Sequence, residues 1–207
     1  MSYRDRVGSA GHQLGDILRH SDPVRGLAIY DRTLVRLREI KSSNKARRQE
    51  ARILAHSSYP LRSLHRAPEA KHRIDEAFEI LGRLGEEESS VGIIGGEWDN
   101  TMRASADYES EVGHAERARA ILLELQAKLL ALHPNPETDL RHANDMSRLY
   151  ASLAAIDAKL GMYDEEKMFE AKRMDLWGQW DRRLPGNSFV RRQTEKSLLK
   201  IPPHSAK

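Results

Sequence analysis

Nine histidines, at positions 12, 20, 56, 65, 72, 114, 133, 142 and 204, are the residues of this chain best suited to ligating a metal or moving a proton near neutral pH. A helix that holds a metal by itself places two of them three or four residues apart, as in H-E-x-x-H, and no two here have that spacing. His65 and His72 straddle the turn at Ala67-Pro68 and so fall on different helices. Histidine spacing therefore predicts no zinc site. Ser57-Ser58 and Ser89-Ser90 lack a G-x-S-x-G elbow, and Glu165-Glu166 stand at a helix start, where the dipole favours acidic side chains. The glycine-rich "VGIIGGEWDN" lacks G-x-x-x-x-G-K-[ST] and follows no strand that would aim its amides at a phosphate. With no cysteine there is no disulfide, thiolate ligand or cysteine nucleophile. No catalytic constellation and no cofactor motif emerge, so the expectation is a protein that is not an enzyme and takes no cofactor or metal.

The elements that would position any site are helices. Aromatic residues make up 6% of the 207, and Ala, Leu, Arg, Glu and Lys dominate, which predicts an all-α chain. Asp22-Pro23 and Ala67-Pro68 mark the starts of second helices, after first helices over about 3–20 and 45–66, the latter with Pro60 inside it. Two further hairpins are expected, 97–112 turning at Gly113 into 114–133 and 139–160 turning at Gly161 into 164–184. A helix-turn-helix unit recurring every 40 to 50 residues signals an α-solenoid of about four antiparallel hairpins. The division expected is 1–84 for two hairpins, 85–96 for a Gly/Glu-rich connection, 97–184 for two more hairpins, and 185–207 for a capping segment with a disordered tail.

Charge is unevenly spread. Residues 1–75 carry 16 Lys+Arg against 8 Asp+Glu, residues 76–150 carry 7 against 15, and the whole chain has a net +3. A basic first third suits phosphate or an acidic partner. No apolar run is long enough to span a bilayer, and "MSYRDR" lacks the apolar core of a leader, which with the cysteine count predicts a cytoplasmic protein without membrane insertion.

The pieces "LGDILRHSDPVRGLAIYDRTL", "SSYPLRSLHRAPEAKHRIDEAFEIL", "ADYESEVGHAERARAILLEL" and "SRLYASLAAIDAKLGMYDEEKMFEAKRMDLW" resemble tetratricopeptide repeats. In each, a small or apolar residue lies where helices cross, and in the first three it is Ala28, Ala77 and Ala118, with Tyr30, Phe78 and Leu122 beyond. "NDMSRLYASLAAIDAKLG" followed by "DLWGQWDRRLPGNSFVRRQ" is similar to the C-terminal repeat region of bacterial Ser/Thr protein kinases. The resemblance brings no kinase activity, because G-x-G-x-x-G, V-A-I-K, H-R-D and D-F-G are all missing.

Projected at the helical period, Phe169, Leu176, Trp177, Trp180 and Leu184 share one arc, segregated from Lys172, Asp175, Gln179, Arg182 and Arg183. A strand-binding surface would mix rings and cations on one face, so these tryptophans are expected to pack inward, as is Trp98. Arg48, Arg52, His56 and Tyr59 follow one polar side of a first helix, opposite Ile53, Leu54, Leu61 and Leu64. The resemblance places first helices along a concave groove, where this row, extended by Arg103 and Arg148, would hold an acidic peptide or carboxylate. The expected function is a protein-protein interaction scaffold, regulatory or recruiting for a kinase. An open solenoid end also admits a homodimer. The alternative is a nucleic-acid-binding helical protein that uses the basic first third.

Overall fold

A computed structural model of the chain describes residues 3–40, 43–85 and 96–198, and among these it contains nine α-helices and no strand. The expected connection at 85–96 and the tail after 198 lie almost wholly outside the described residues. The helices are α1 Tyr3–Leu18, α2 Pro23–Arg38, α3 Asn44–Ser63, α4 Ala67–Arg83, α5 Glu97–Glu111, α6 Ala115–Ala131, α7 Leu140–Lys159, α8 Tyr163–Arg183 and α9 Ser188–Leu198. Two compact units divide the chain, Met1–Ile121 and Leu122–Lys207, with the boundary inside α6.

Local chemistry sets the helix ends. Asp22 accepts the Arg25 amide at 3.1 Å ahead of Pro23, and Ser43 accepts the Ala46 amide at 3.3 Å, so each satisfies an orphan donor of a first turn. The start of α4 differs from expectation: Arg66 is its N-cap and provides no side-chain cap, while Pro68 needs no partner for an amide it lacks. Gly113 and Gly161 close α5 and α7 at φ 93° and 72°, a left-handed conformation that costs other residues a Cβ clash. α3 runs through Pro60, whose missing amide leaves the His56 carbonyl without its usual helical donor.

In the first unit α1 packs on α2, α2 on α3 and α3 on α4, while α1 also meets α3, and α5 meets both α3 and α4. Tyr30, Leu37, Ile53, Leu54, Leu61, Ile74 and Leu81 are buried between them. Gly8, Gly11 and Gly15 form a stripe on α1 that lets its neighbours come close. A Cβ on Gly15 would lie 2.2 Å from the Tyr30 ring, and one on Gly11 would lie 2.1 Å from the Thr33 hydroxyl. At the α1–α2 turn it is Gly26, 3.1 Å from the Arg19 backbone by the same measure, that permits close approach. Ala28, expected in that role, is exposed, because it lies on the opposite side of α2 from Leu27 and Tyr30. Ala77 and Ala118 are buried as expected.

One buried carboxylate organises three helices. Glu50 on α3, 3% exposed in its side chain, accepts from Arg38 of α2 at 2.8 Å and from Arg47 at 2.6 Å. Arg38 reaches on to Glu76 of α4 at 2.6 Å.

In the second unit α7 packs on α8 and α8 on α9. Trp177, fully buried, donates its indole N–H to the Ser147 hydroxyl at 2.6 Å, and Trp180 donates to the Pro136 carbonyl at 2.7 Å. Both tryptophans are therefore core residues, and so are Phe169 and Leu176. Leu184 is not: at the C-terminus of α8 it is 38% exposed. The closing helix α9, capped by Asn187, buries Val190 and sets Phe189 edge-on to Trp177 at 5.9 Å. Trp98 in the first unit is buried too, its ring 5.2 Å from Phe78.

Candidate functional site

The row Arg52–His56–Tyr59 climbs α3 at intervals of four and three residues, so the three side chains share a face. That face is a polar seam between α1 and α5. On the α5 side Arg52 pairs with Glu97, Tyr59 donates to Asp107 at 2.8 Å, and Arg62 meets Glu111 at 3.3 Å. On the α1 side His56 meets His12, Asp16 and Arg19.

The α1 side is the densest cluster of functional groups. His12 and Asp16 are one helical turn apart, and His56 is brought to them across 44 residues of sequence. His56 Nδ1 lies 2.9 Å from Asp16 Oδ1 and 3.3 Å from His12 Nε2, and His12 Nε2 lies 3.4 Å from Asp16 Oδ2. Tyr30, buried beneath Gly15, donates its hydroxyl to Asp16 Oδ1 at 2.8 Å. Arg19 stands 3.4 Å from both His56 Nδ1 and Asp16 Oδ1, and its guanidinium also lies over the Tyr59 ring at 4.7 Å. The Arg62 guanidinium lies at 4.8 Å from the same ring.

Electrostatics follow from this crowding. Burial, with the charges of His56, Arg52 and Arg19, lowers His12 from 6.5 to about 4 against the pull of Asp16, so its imidazole is neutral at pH 7. Burial alone would raise Asp16, but hydrogen bonds from His56 and Tyr30 and the nearby imidazoles hold it well below the usual carboxylate range. Burial, Asp16 and Asp107 push the Tyr30 and Tyr59 phenols upward, so both remain hydrogen-bond donors.

Of the residues read as partner-binding, Arg52, His56 and Tyr59 are brought together in this seam. Arg48 is exposed on the same helix, and Arg103 is buried within α5 at 6% exposure. Arg148 is exposed on α7, in the other unit. His65 and His72 are both exposed. Sequence reasoning missed His12, Asp16 and Tyr30. The available signal was the i, i+4 spacing of His12 and Asp16, which a search for histidine pairs alone passes over. Compared with known proteins, the chain matches no family model and no curated sequence. No described helix is long and apolar enough to cross a membrane.

Proposed function

We propose that this chain is a non-catalytic interaction scaffold, a tetratricopeptide-like solenoid of about four hairpins whose first-helix face binds a protein segment, as a regulatory or recruitment module related to kinase-attached repeat regions. The observation that carries it is the seam itself: α1, α3 and α5, the first helices of three successive hairpins, pack side by side and share one polar strip. Each first helix also leans on the preceding second helix, α3 on α2 and α5 on α4, the neighbour pattern of stacked hairpins. Arg48, exposed at one end of the strip, gives it a cationic group suited to an acidic segment.

Local pairing weighs against the nucleic-acid alternative. Arg38, Arg47, Arg52, Arg62, Arg66, Lys71 and Arg73 each meet a carboxylate, so much of the basic charge of the first third is matched inside the fold. A binding screen against acidic and neutral peptides tests the proposal, comparing wild type with Arg48→Glu, a change at an exposed position. Retention of acidic peptides by wild type and its loss in the variant is expected. Identical retention by both, or none by wild type, overturns the assignment.

A further inference from the structure

Three ligand-type atoms on two helices converge in the seam with no apolar side chain between them. One ligand atom from each of His12, Asp16 and His56 lies within 4.8 Å of the others. The individual separations, 3.3 Å from His12 Nε2 to His56 Nδ1, 3.4 Å from His12 Nε2 to Asp16 Oδ2 and 2.9 Å from His56 Nδ1 to Asp16 Oδ1, can be set against a simple standard. A tetrahedral ion with ligands at about 2.0–2.1 Å has ligand–ligand edges of about 3.3 Å. Two of these separations end on different oxygens of Asp16, so an ion would take one oxygen and draw the three groups into a triangle of that size from atoms already within 4.8 Å of one another.

The same groups are held close by hydrogen bonds. His56 Nδ1 faces Asp16 Oδ1, His12 Nε2 and an Arg19 N–H at 2.9, 3.3 and 3.4 Å. A ring nitrogen has one N–H or one in-plane lone pair and can satisfy one of these partners. If it donates to Asp16, Arg19 pairs with the same carboxylate at 3.4 Å and His12 Nε2 meets the other ring nitrogen, His56 Nε2, at 3.4 Å, so hydrogen bonds close the cluster when no ion is bound. A dication would replace that set, drawing both imidazole lone pairs and the carboxylate charge to one positive centre.

We infer that His12, Asp16 and His56 form a binding site for a divalent transition-metal ion of the zinc class, clamping α1 to α3. Two imidazoles and one carboxylate, without thiolate and with few oxygens, suit Zn2+, Co2+, Ni2+ or Cu2+ over Ca2+ or Mg2+. Three protein ligands leave a fourth position for water. The surroundings fit the same role. Tyr30 holds one oxygen of Asp16 at 2.8 Å, the outer support that orients a ligating carboxylate. Arg19 supplies the positive charge when no ion is bound, and its contact over Tyr59 at 4.7 Å gives the guanidinium somewhere to stay when an ion displaces it from Asp16. The site goes beyond the scaffold reading and does not depend on it.

Untagged, metal-stripped protein titrated with Co2+ tests this by the visible d–d absorption of a tetrahedral nitrogen/oxygen site, with Zn2+ displacing the signal. One equivalent is expected to saturate wild type. His12→Ala, His56→Ala and Asp16→Asn should each weaken binding by at least about tenfold, and Tyr30→Phe by a smaller factor. Arg19→Gln should bind more tightly, because it removes the competing cation; a purely structural role for these side chains would not produce that gain. Should a ligand variant fail to fold, the melting temperature of wild type decides: a rise with Zn2+ but not Mg2+ supports the site. Wild type that binds Co2+ no better than the His12→Ala/His56→Ala variant, or whose melting point ignores Zn2+, overturns it.

Discussion

Tyr59 on α3 donates its hydroxyl to Asp107 on α5 at 2.8 Å, and that bond joins two first helices whose sequence positions differ by 48. The ring carries the guanidiniums of Arg19 and Arg62, so one side chain serves both flanks of the seam. Tyr59→Phe keeps the ring and strands a half-buried carboxylate. It should lower stability by about 1–2 kcal/mol, measured by urea denaturation. Tyr59→Ala should cost more, because the cation contacts disappear as well. Equal losses in the two variants would mean that the ring carries nothing.

Acid should loosen the first unit before most carboxylates titrate. His12 has a folded value of about 4 against an ordinary 6.5, under the influence of Asp16 on its own helix, of Arg19 just past the end of that helix, and of His56 and Arg52 on α3. Between those values the unfolded chain binds a proton that the native chain does not, so stability rises with pH across that window and is lost as pH falls through it. The effect is on the order of 2–3 kcal/mol at most, reduced by solvent at this partly exposed site. Asp16 has the same sign at lower pH: its contribution is present above the ordinary carboxylate value and declines below it. Denaturation midpoints followed from pH 7 to 4 should fall in wild type and flatten in His12→Gln.

Two glycines make opposite predictions. Gly15→Ala drives a methyl to 2.2 Å from the buried Tyr30 ring, which can yield only by leaving Asp16, and should destabilise by about 1–3 kcal/mol. Gly82→Ala on α4 meets nothing within 4 Å and should stabilise by up to about 1 kcal/mol through helix propensity. Thermal melts of the pair check both signs.

Trp177→Phe removes the indole bond to Ser147, leaves a gap beside Phe189, and should cost about 1–3 kcal/mol in residues 122–207. Hydrogen exchange should show faster opening of α7 and α8 in the variant. Leu184→Ala, at an exposed position, should change little.

Helix order was legible because its signals are local: Asp22-Pro23, Gly113 and Gly161 act within one turn of where they stand. The inward face of α8 was legible from its 3.6-residue period up to Leu184, where the pattern outlasts the packing that enforces it. The row Arg52–His56–Tyr59 was found by the same period, but its partners were not. His12 meets His56 only because α1 approaches α3, where Gly8 faces Gln49, while Gly11 and Gly15 seat α1 against Thr33 and Tyr30 of α2. Periodicity assigns a residue to a side of its own helix and says nothing about which residue on another helix arrives there.

Arg38 has one consequence for how rigidly the first unit is threaded. Leu34 and Leu37 would cling to an adjacent coil at several offsets, because grease has no preferred notch. A slide of one turn, about 5.4 Å, would carry the guanidinium past both Glu50 and Glu76. An ionic bolt therefore adds to the seats of Tyr30 and Thr33 against the α1 glycines, and because Glu50 is buried, concentrated salt should weaken only its more exposed arm, Arg38 to Glu76.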